Sequence, residues 1–164
     1  MNVSDFRFFH VQPVLEYLGE VEPRILSQAA EELLVATAVH ESGGLQYLQQ
    51  RVGKRGYGTA LSFYQIEEET HQDVLRYLGE RRIDLLAIVN ALNPTLDYLD
   101  IPPLIFAHYA TAIARIKYWM VKEPLPKADD IYGMASYWGR YYQTKNDPKK
   151  INKFIRDYNR YIKE

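Results

Sequence analysis

Apolar side chains recur at three- and four-residue steps along most of this chain, and proline or glycine interrupts the pattern at intervals. In residues 23–41 this spacing is shared by Leu26, Ala30, Leu33, Leu34, Thr37, Ala38 and Glu41. Such a pattern places these side chains on one face of an α-helix. Pro23 suits the first turn of this helix, and Gly43 and Gly44 mark its end.

Similar patterns predict further helices over about residues 67–77, 82–92, 104–121 and 130–142, and a last helix from Pro148 onwards. A break is expected at Gly79 and turns at Asn93-Pro94 and Pro102-Pro103. Asp129 or Asp130 is a candidate cap, and Asp147 before Pro148 is another. Three glycines in residues 52–64 predict an irregular loop or a small hairpin. The fold class is therefore expected to be all-α.

The length of 164 residues is that of one domain. We expect one compact unit over residues 1–164, with residues 1–22 as an N-terminal extension packed on a core of residues 23–160. The chain has no cysteine, which excludes thiol chemistry, zinc ribbons and iron–sulfur centres. His40-Glu41 lacks a second histidine four residues on, where Gly44 stands, so no metal and no cofactor are expected.

Charge and hydropathy constrain the partners and the location. Residues 140–164 carry 8 basic and 3 acidic side chains, yet the whole chain has a net charge of −1. A solvated helix face explains this basic segment better than a nucleic-acid contact. No apolar run reaches the length of a membrane span, and residues 1–10 do not have the pattern of a signal peptide. We therefore expect neither nucleic-acid binding nor membrane insertion.

Glu41 is the candidate catalytic residue, because it continues the apolar stripe to the C-terminal end of its helix. Partial burial and the negative end of the helix dipole both disfavour the carboxylate. Both effects raise the pKa of Glu41, as a general acid working near neutral pH requires.

Three sequence motifs surround this residue in a fixed order. Residues 36–43 read ATAVHESG, residues 58–66 read GTALSFYQI with Thr70 shortly after, and residues 134–139 read MASYWG. Together they resemble the lytic transglycosylase and goose-type lysozyme superfamily. In that superfamily a helix ends in Glu-Ser, a Gly-x-x-Gly-Leu-Met-Gln motif follows, and an Ala-x-Ala-Tyr-Asn-x-Gly motif comes last.

The resemblance implies a lysozyme-like helical fold and roles for individual residues. Glu41 falls on the catalytic acid/base, Ser42 on the serine beside it, and Gln65 on the glutamine that faces the sugar cleft. Tyr64 lies in the second motif, and the cleft tyrosine is either Tyr137 or Tyr142. Tyr57 is a further candidate for the sugar groove. The sequence departs from the family pattern at Ser62, Glu68 and Trp138, where glycine, proline and asparagine are usual.

The resemblance further implies cleavage of the β-1,4 bond between N-acetylmuramic acid and N-acetylglucosamine in peptidoglycan. A transglycosylase needs one carboxyl group, whereas an inverting hydrolase needs a second one, for which Glu67 and Asp73 are the nearest candidates. Similarity to small phage transglycosylases implies that the protein is associated with a virion or tail and its proteins. Otherwise the protein is located in the host cytoplasm before its release to the cell wall. The alternative is a structural virion protein that keeps the fold with little or no activity.

Overall fold

The computed structural model describes residues 1–95 and 100–163, and most of them are helical. The α-helices in these ranges are α1 (Val3–Phe6), α2 (Gln12–Val21), α3 (Gln28–Glu41), α4 (Glu68–Arg81), α5 (Ile83–Ala91), α6 (Ala107–Trp119), α7 (Ile131–Tyr137) and α8 (Pro148–Tyr158). A hairpin of β1 (Gln49–Val52) and β2 (Gly56–Leu61) lies between α3 and α4. The expectation of a mainly helical chain is confirmed.

Helix α3 begins later than the sequence predicted. Pro23 opens a separate 3-10 turn over Pro23–Ile25, and Ser27 then adopts an extended conformation. The Ser27 hydroxyl accepts a hydrogen bond from the Ala30 N–H at 3.0 Å, so it caps the helix at this point. Leu26, which was expected on the buried stripe, is 45% exposed. The predicted C-terminal end is correct, because Glu41 is the last helical residue.

The glycine-containing segment forms the hairpin that the sequence allowed. β1 and β2 pair antiparallel, and Gly53 in the turn has a φ of 65°. After β2 the chain folds back on itself, because the backbone groups of Leu61 and Ile66 exchange two hydrogen bonds of 3.0 and 2.8 Å. This tight turn brings the second motif next to the end of α3.

The predicted break at Gly79 is wrong. α4 continues through this exposed glycine to Arg81, and α5 starts at Ile83. A glycine inside a helix costs only about 1 kcal/mol, which packing elsewhere can outweigh. The chain bends instead at Arg82, whose φ of −144° is not helical.

The hydrophobic core packs around α3 and α6. All residues of α6 from Tyr109 to Ile116 are buried, and the hydroxyls of Thr37 and Tyr118 join the two helices at 2.8 Å. Residues of the N-terminal segment, among them Phe6 and Leu15, belong to the same hydrophobic cluster. The first 22 residues therefore pack on the remainder of the core.

The last two helices begin at the predicted caps. The Asp130 carboxylate accepts from the Gly133 N–H at the start of α7, and the Asp147 carboxylate accepts from the Lys149 N–H at the start of α8. α7 passes into a π-helical turn over Trp138–Tyr142. In the ranges that the structure describes, no helix combines the length and apolarity that a membrane crossing requires.

Candidate active site

Glu41 lies at the C-terminal end of α3, where the helix meets the turn that follows α7. The indole N–H of Trp138 donates a hydrogen bond to the Glu41 Oε1 atom at 2.9 Å. Trp138 is almost fully buried, so this donor has a fixed position. One carboxylate oxygen is therefore held by the protein.

The environment of Glu41 favours its protonated form. Burial raises the pKa of Glu41, and this effect outweighs the opposing influence of His40, the Trp138 N–H and Lys117. The direction agrees with the sequence prediction. A carboxyl group with a raised pKa can donate a proton near neutral pH.

Glu41 contributes to the wall of a cavity of about 270 Å³. The opposite walls come from the hairpin, through Gln50 and Ala60, and from the turn and helix that follow it, through Gln65 and Thr70. Residues 142–144 complete the lining. The cavity thus joins the first and second motifs with the segment after the third.

Gln65 reaches the cavity from a strained position in the tight turn. Its φ of 48° is in the left-handed region, and its side-chain amide donates to the Ser62 carbonyl at 2.7 Å. Ser62 has a φ of 73°, also in the left-handed region, which favours glycine. The Ser62 hydroxyl accepts from the Tyr64 N–H at 3.0 Å and so stabilises the turn.

Tyr142 and Lys117 form the floor beside Glu41. The Lys117 ammonium lies 3.9 Å from the centre of the Tyr142 ring and donates to the Tyr142 carbonyl at 2.9 Å. Burial lowers the pKa of Lys117 to about 8, although the Glu41 carboxylate acts in the opposite direction. The Tyr142 hydroxyl donates to the Tyr64 carbonyl at 2.6 Å, so the ring has one orientation.

Three of the predicted substrate-binding residues do not line this cavity. Ser42 is buried, and its hydroxyl donates to the Ala38 carbonyl and accepts from the Leu45 N–H, so it closes the end of α3. Tyr64 is fully buried, and its hydroxyl lies 3.1 Å from that of Thr111 in the core. Tyr137 donates to the Glu123 carbonyl and lines a different cavity.

The polar groups of Ser42, Tyr64 and Tyr137 are therefore used within the fold, away from the Glu41 cavity. Tyr57 is exposed on the hairpin beneath Arg51 and also lies away from the cavity. Of the two alternatives for the cleft tyrosine, the structure brings Tyr142 to Glu41.

Sequence reasoning missed the support behind Glu41. The His40 ring packs edge-on against Trp138 with ring centres 4.5 Å apart, and its Nδ1 atom lies 2.7 Å from the Asp157 carboxylate. Asp157, His40 and Trp138 thus form a contiguous group behind the carboxyl. The only sequence signal was Trp138 at the position where asparagine is usual.

Glu67 is a second carboxylate at the same cavity. It accepts a hydrogen bond from the Thr59 hydroxyl at 2.6 Å and remains exposed. Asp73 does not line the cavity. In the part of the chain that the structure describes, no three histidine or acidic side chains are arranged to hold a metal ion.

Comparisons with protein-family models, with curated proteins and with solved structures found no match to this chain.

Proposed function

We propose that this protein is a lytic transglycosylase that cleaves peptidoglycan glycan strands, with Glu41 as the single acid/base and a lysozyme-like arrangement of its helices. The observation that carries the proposal is a carboxyl group of raised pKa at an open cavity that Gln65 and Tyr142 also line. The order of the three motifs supports the same conclusion.

In the proposed reaction Glu41 first donates its proton to the glycosidic oxygen, and the bond from this oxygen to the anomeric carbon breaks. The Glu41 carboxylate then accepts the proton of the 6-hydroxyl of the same sugar, whose oxygen bonds to the anomeric carbon. The product is a 1,6-anhydro sugar, and no water is consumed. The N–H of Trp138 stabilises the carboxylate between the two steps.

Gln65 and Tyr142 are the substrate-binding residues in this proposal. The side-chain carbonyl of Gln65 can accept from a sugar hydroxyl or acetamido N–H, because its amide nitrogen already donates within the turn. The proposed partners are peptidoglycan strands and, from the resemblance to phage enzymes, other virion or tail proteins. Delivery in a virion, or a stay in the host cytoplasm before release, follows from the same resemblance.

The test is digestion of purified peptidoglycan by the wild-type protein, Glu41→Gln and Glu67→Gln, with fragments identified by mass spectrometry. We expect 1,6-anhydro fragments from the wild type and from Glu67→Gln, and none from Glu41→Gln. Release by none of the three folded proteins would reject the enzyme and favour the structural virion module.

An inverting hydrolase is the second candidate, because Glu67 lies at the same cavity as Glu41. In that reaction Glu67 activates a water molecule while Glu41 protonates the leaving oxygen. Its products are heavier by one water than the anhydro fragments. Loss of activity in Glu67→Gln as well as Glu41→Gln would favour this mechanism.

A further inference from the structure

A second cavity, of about 560 Å³, lies against the face of α6 opposite to Lys117. Arg115 and Trp119 of α6 contribute to it, and none of its lining residues lines the Glu41 cavity. Residues two apart in a helix point in nearly opposite directions, which explains why Arg115 and Lys117 face different cavities. The proposed reaction makes no use of this site.

Arg115 is the unusual feature of the second cavity. The residue is 3% exposed, yet within the described part of the chain no carboxylate pairs with it. Its Nε–H donates to the Ile25 carbonyl at 3.0 Å, and its buried Nη1 atom has no hydrogen-bond partner among residues 1–95 and 100–163. Burial lowers the pKa of Arg115 to about 10, so the guanidinium is still charged at neutral pH.

Buried charges in proteins are normally paired, because an unpaired one loses hydration without compensation. An arginine with free N–H groups at a cavity is suited to a carboxylate, which can accept two parallel hydrogen bonds. At the rim Lys122 adds a positive charge and Glu123 a negative one, while the Arg24 guanidinium is paired with Glu22.

The remainder of the cavity is apolar and aromatic. Trp119 is the largest apolar group, and its ring lies 5.7 Å from the Arg115 guanidinium and 5.4 Å from that of Arg24. Ala29, Val121 and Leu125 extend the apolar surface. Such walls favour a ligand with an apolar body over a small hydrated anion such as phosphate.

We propose that this cavity binds a small carboxylate with an aromatic or aliphatic body, whose carboxylate pairs with Arg115 and whose body packs on Trp119. The site is separate from the Glu41 cavity, with which it shares no lining residue.

The chain has two tryptophans, so its two indole N–H resonances report on the two cavities separately. We would titrate the protein with benzoate and follow both resonances by ¹⁵N-correlated NMR. We expect benzoate to shift the Trp119 resonance until the site is saturated. The dissociation constant should be about 1 mM, which is typical of a weakly bound ligand of this size. The Trp138 resonance is expected to stay in place.

Two variants test the roles of charge and shape. Arg115→Met removes the charge, and Ala29→Leu fills the apolar wall while leaving Arg115 in place. Each is expected to weaken benzoate binding at least tenfold, and an unchanged Trp138 resonance shows that the variant is folded. Ala29→Leu keeps the test decisive even if Arg115→Met does not fold.

Three further titrations use the wild type. Benzyl alcohol, which has the same ring without the carboxylate, and sodium chloride at equal ionic strength are expected to leave the Trp119 resonance unshifted. Inorganic phosphate is expected to bind more weakly than benzoate. An absent benzoate shift, an equal shift with benzyl alcohol or chloride, or tighter binding of phosphate would overturn the proposal.

Discussion

Replacing Trp138 by phenylalanine tests how the protein controls the candidate acid. The substitution removes the N–H that donates to Glu41 at 2.9 Å and keeps most of the aromatic contact with His40. This hydrogen bond is stronger to the carboxylate than to the protonated acid, so it strengthens as Glu41 releases its proton. Its loss should therefore slow the proposed reaction and raise the pKa of Glu41 further.

The expected magnitude follows from the type of bond. A hydrogen bond to a charged group contributes about 1.5–3 kcal/mol, which corresponds to a rate decrease of about 10- to 100-fold. The alkaline limb of the pH–rate profile is expected to move to higher pH, because Glu41 then remains protonated up to a higher pH. The smaller ring also leaves a void, which lowers the free energy of unfolding by about 2 kcal/mol.

Two assays check this prediction for Trp138→Phe. Release of soluble peptidoglycan fragments is measured against pH, and the pKa of Glu41 is read from the pH dependence of its side-chain carboxyl ¹³C resonance. The second assay needs no activity. Phe154→Leu is the matched control, because Phe154 packs on the Trp138 ring at 5.3 Å without a bond to Glu41. An unchanged pKa of Glu41, or an equal change in the control, refutes the reasoning.

Three further predictions concern stability. Glu41→Gln is expected to raise the free energy of unfolding at neutral pH by about 1 kcal/mol, because it removes a carboxylate that burial disfavours. Urea unfolding at several pH values should show that this gain vanishes in acid, where Glu41 is protonated. Tyr142→Phe should cost about 1–3 kcal/mol in the same assay, because it leaves the buried Tyr64 carbonyl without its donor. The pKa of Asp157 is lowered, because its hydrogen bonds with His40 and Lys153 outweigh the opposing effect of burial. Asp157→Asn should therefore destabilise the protein by about 1–2 kcal/mol at neutral pH, and the difference should shrink as the pH falls below about 4.

Helix ends and the position of Glu41 could be predicted because the signals are local. Asp130, Asp147 and the Gly43-Gly44 pair act within a few residues of where they stand. The start of α3 was misjudged because two local signals compete, and the cap at Ser27 outweighs the proline at Pro23. Local chemistry therefore fixes most boundaries, and errors arise where two signals lie close together.

The composition of the cavity could not be predicted, because it depends on contacts between distant segments. The chain has 14 tyrosines, and nothing local distinguishes Tyr142 at the cavity from Tyr64 in the core. Nothing in the sequence near Trp138 indicates its 2.9 Å hydrogen bond to Glu41, which lies 97 residues earlier in the chain. Likewise, nothing in the spacing of residues 104–121 indicates that Lys117 lines this cavity.

Helix α6 carries a buried cation, Arg115, and a partly buried one, Lys117, and this is costly for a helix at the centre of the core. Lys117 and Arg115 both have lowered pKa values, of about 8 and about 10, and burial is the main cause for each. A lowered pKa of a cation means that the folded state disfavours its charge. Stability should therefore rise from about pH 8 to about pH 10.5, because in this range the folded protein has released the Lys117 proton while the unfolded chain still binds it.

Replacement of Lys117 and Arg115 tests whether these cations stabilise the fold or lower its stability. Lys117→Met and Arg115→Met are each expected to be neutral or to raise the free energy of unfolding by about 1 kcal/mol at pH 7. Because the two side chains face different cavities, the double variant should equal the sum of the single changes within about 0.5 kcal/mol. Urea unfolding of the four proteins measures this. A clear loss of stability in both single variants would mean that the cations serve the fold itself, through the carbonyl bonds to Tyr142 and Ile25.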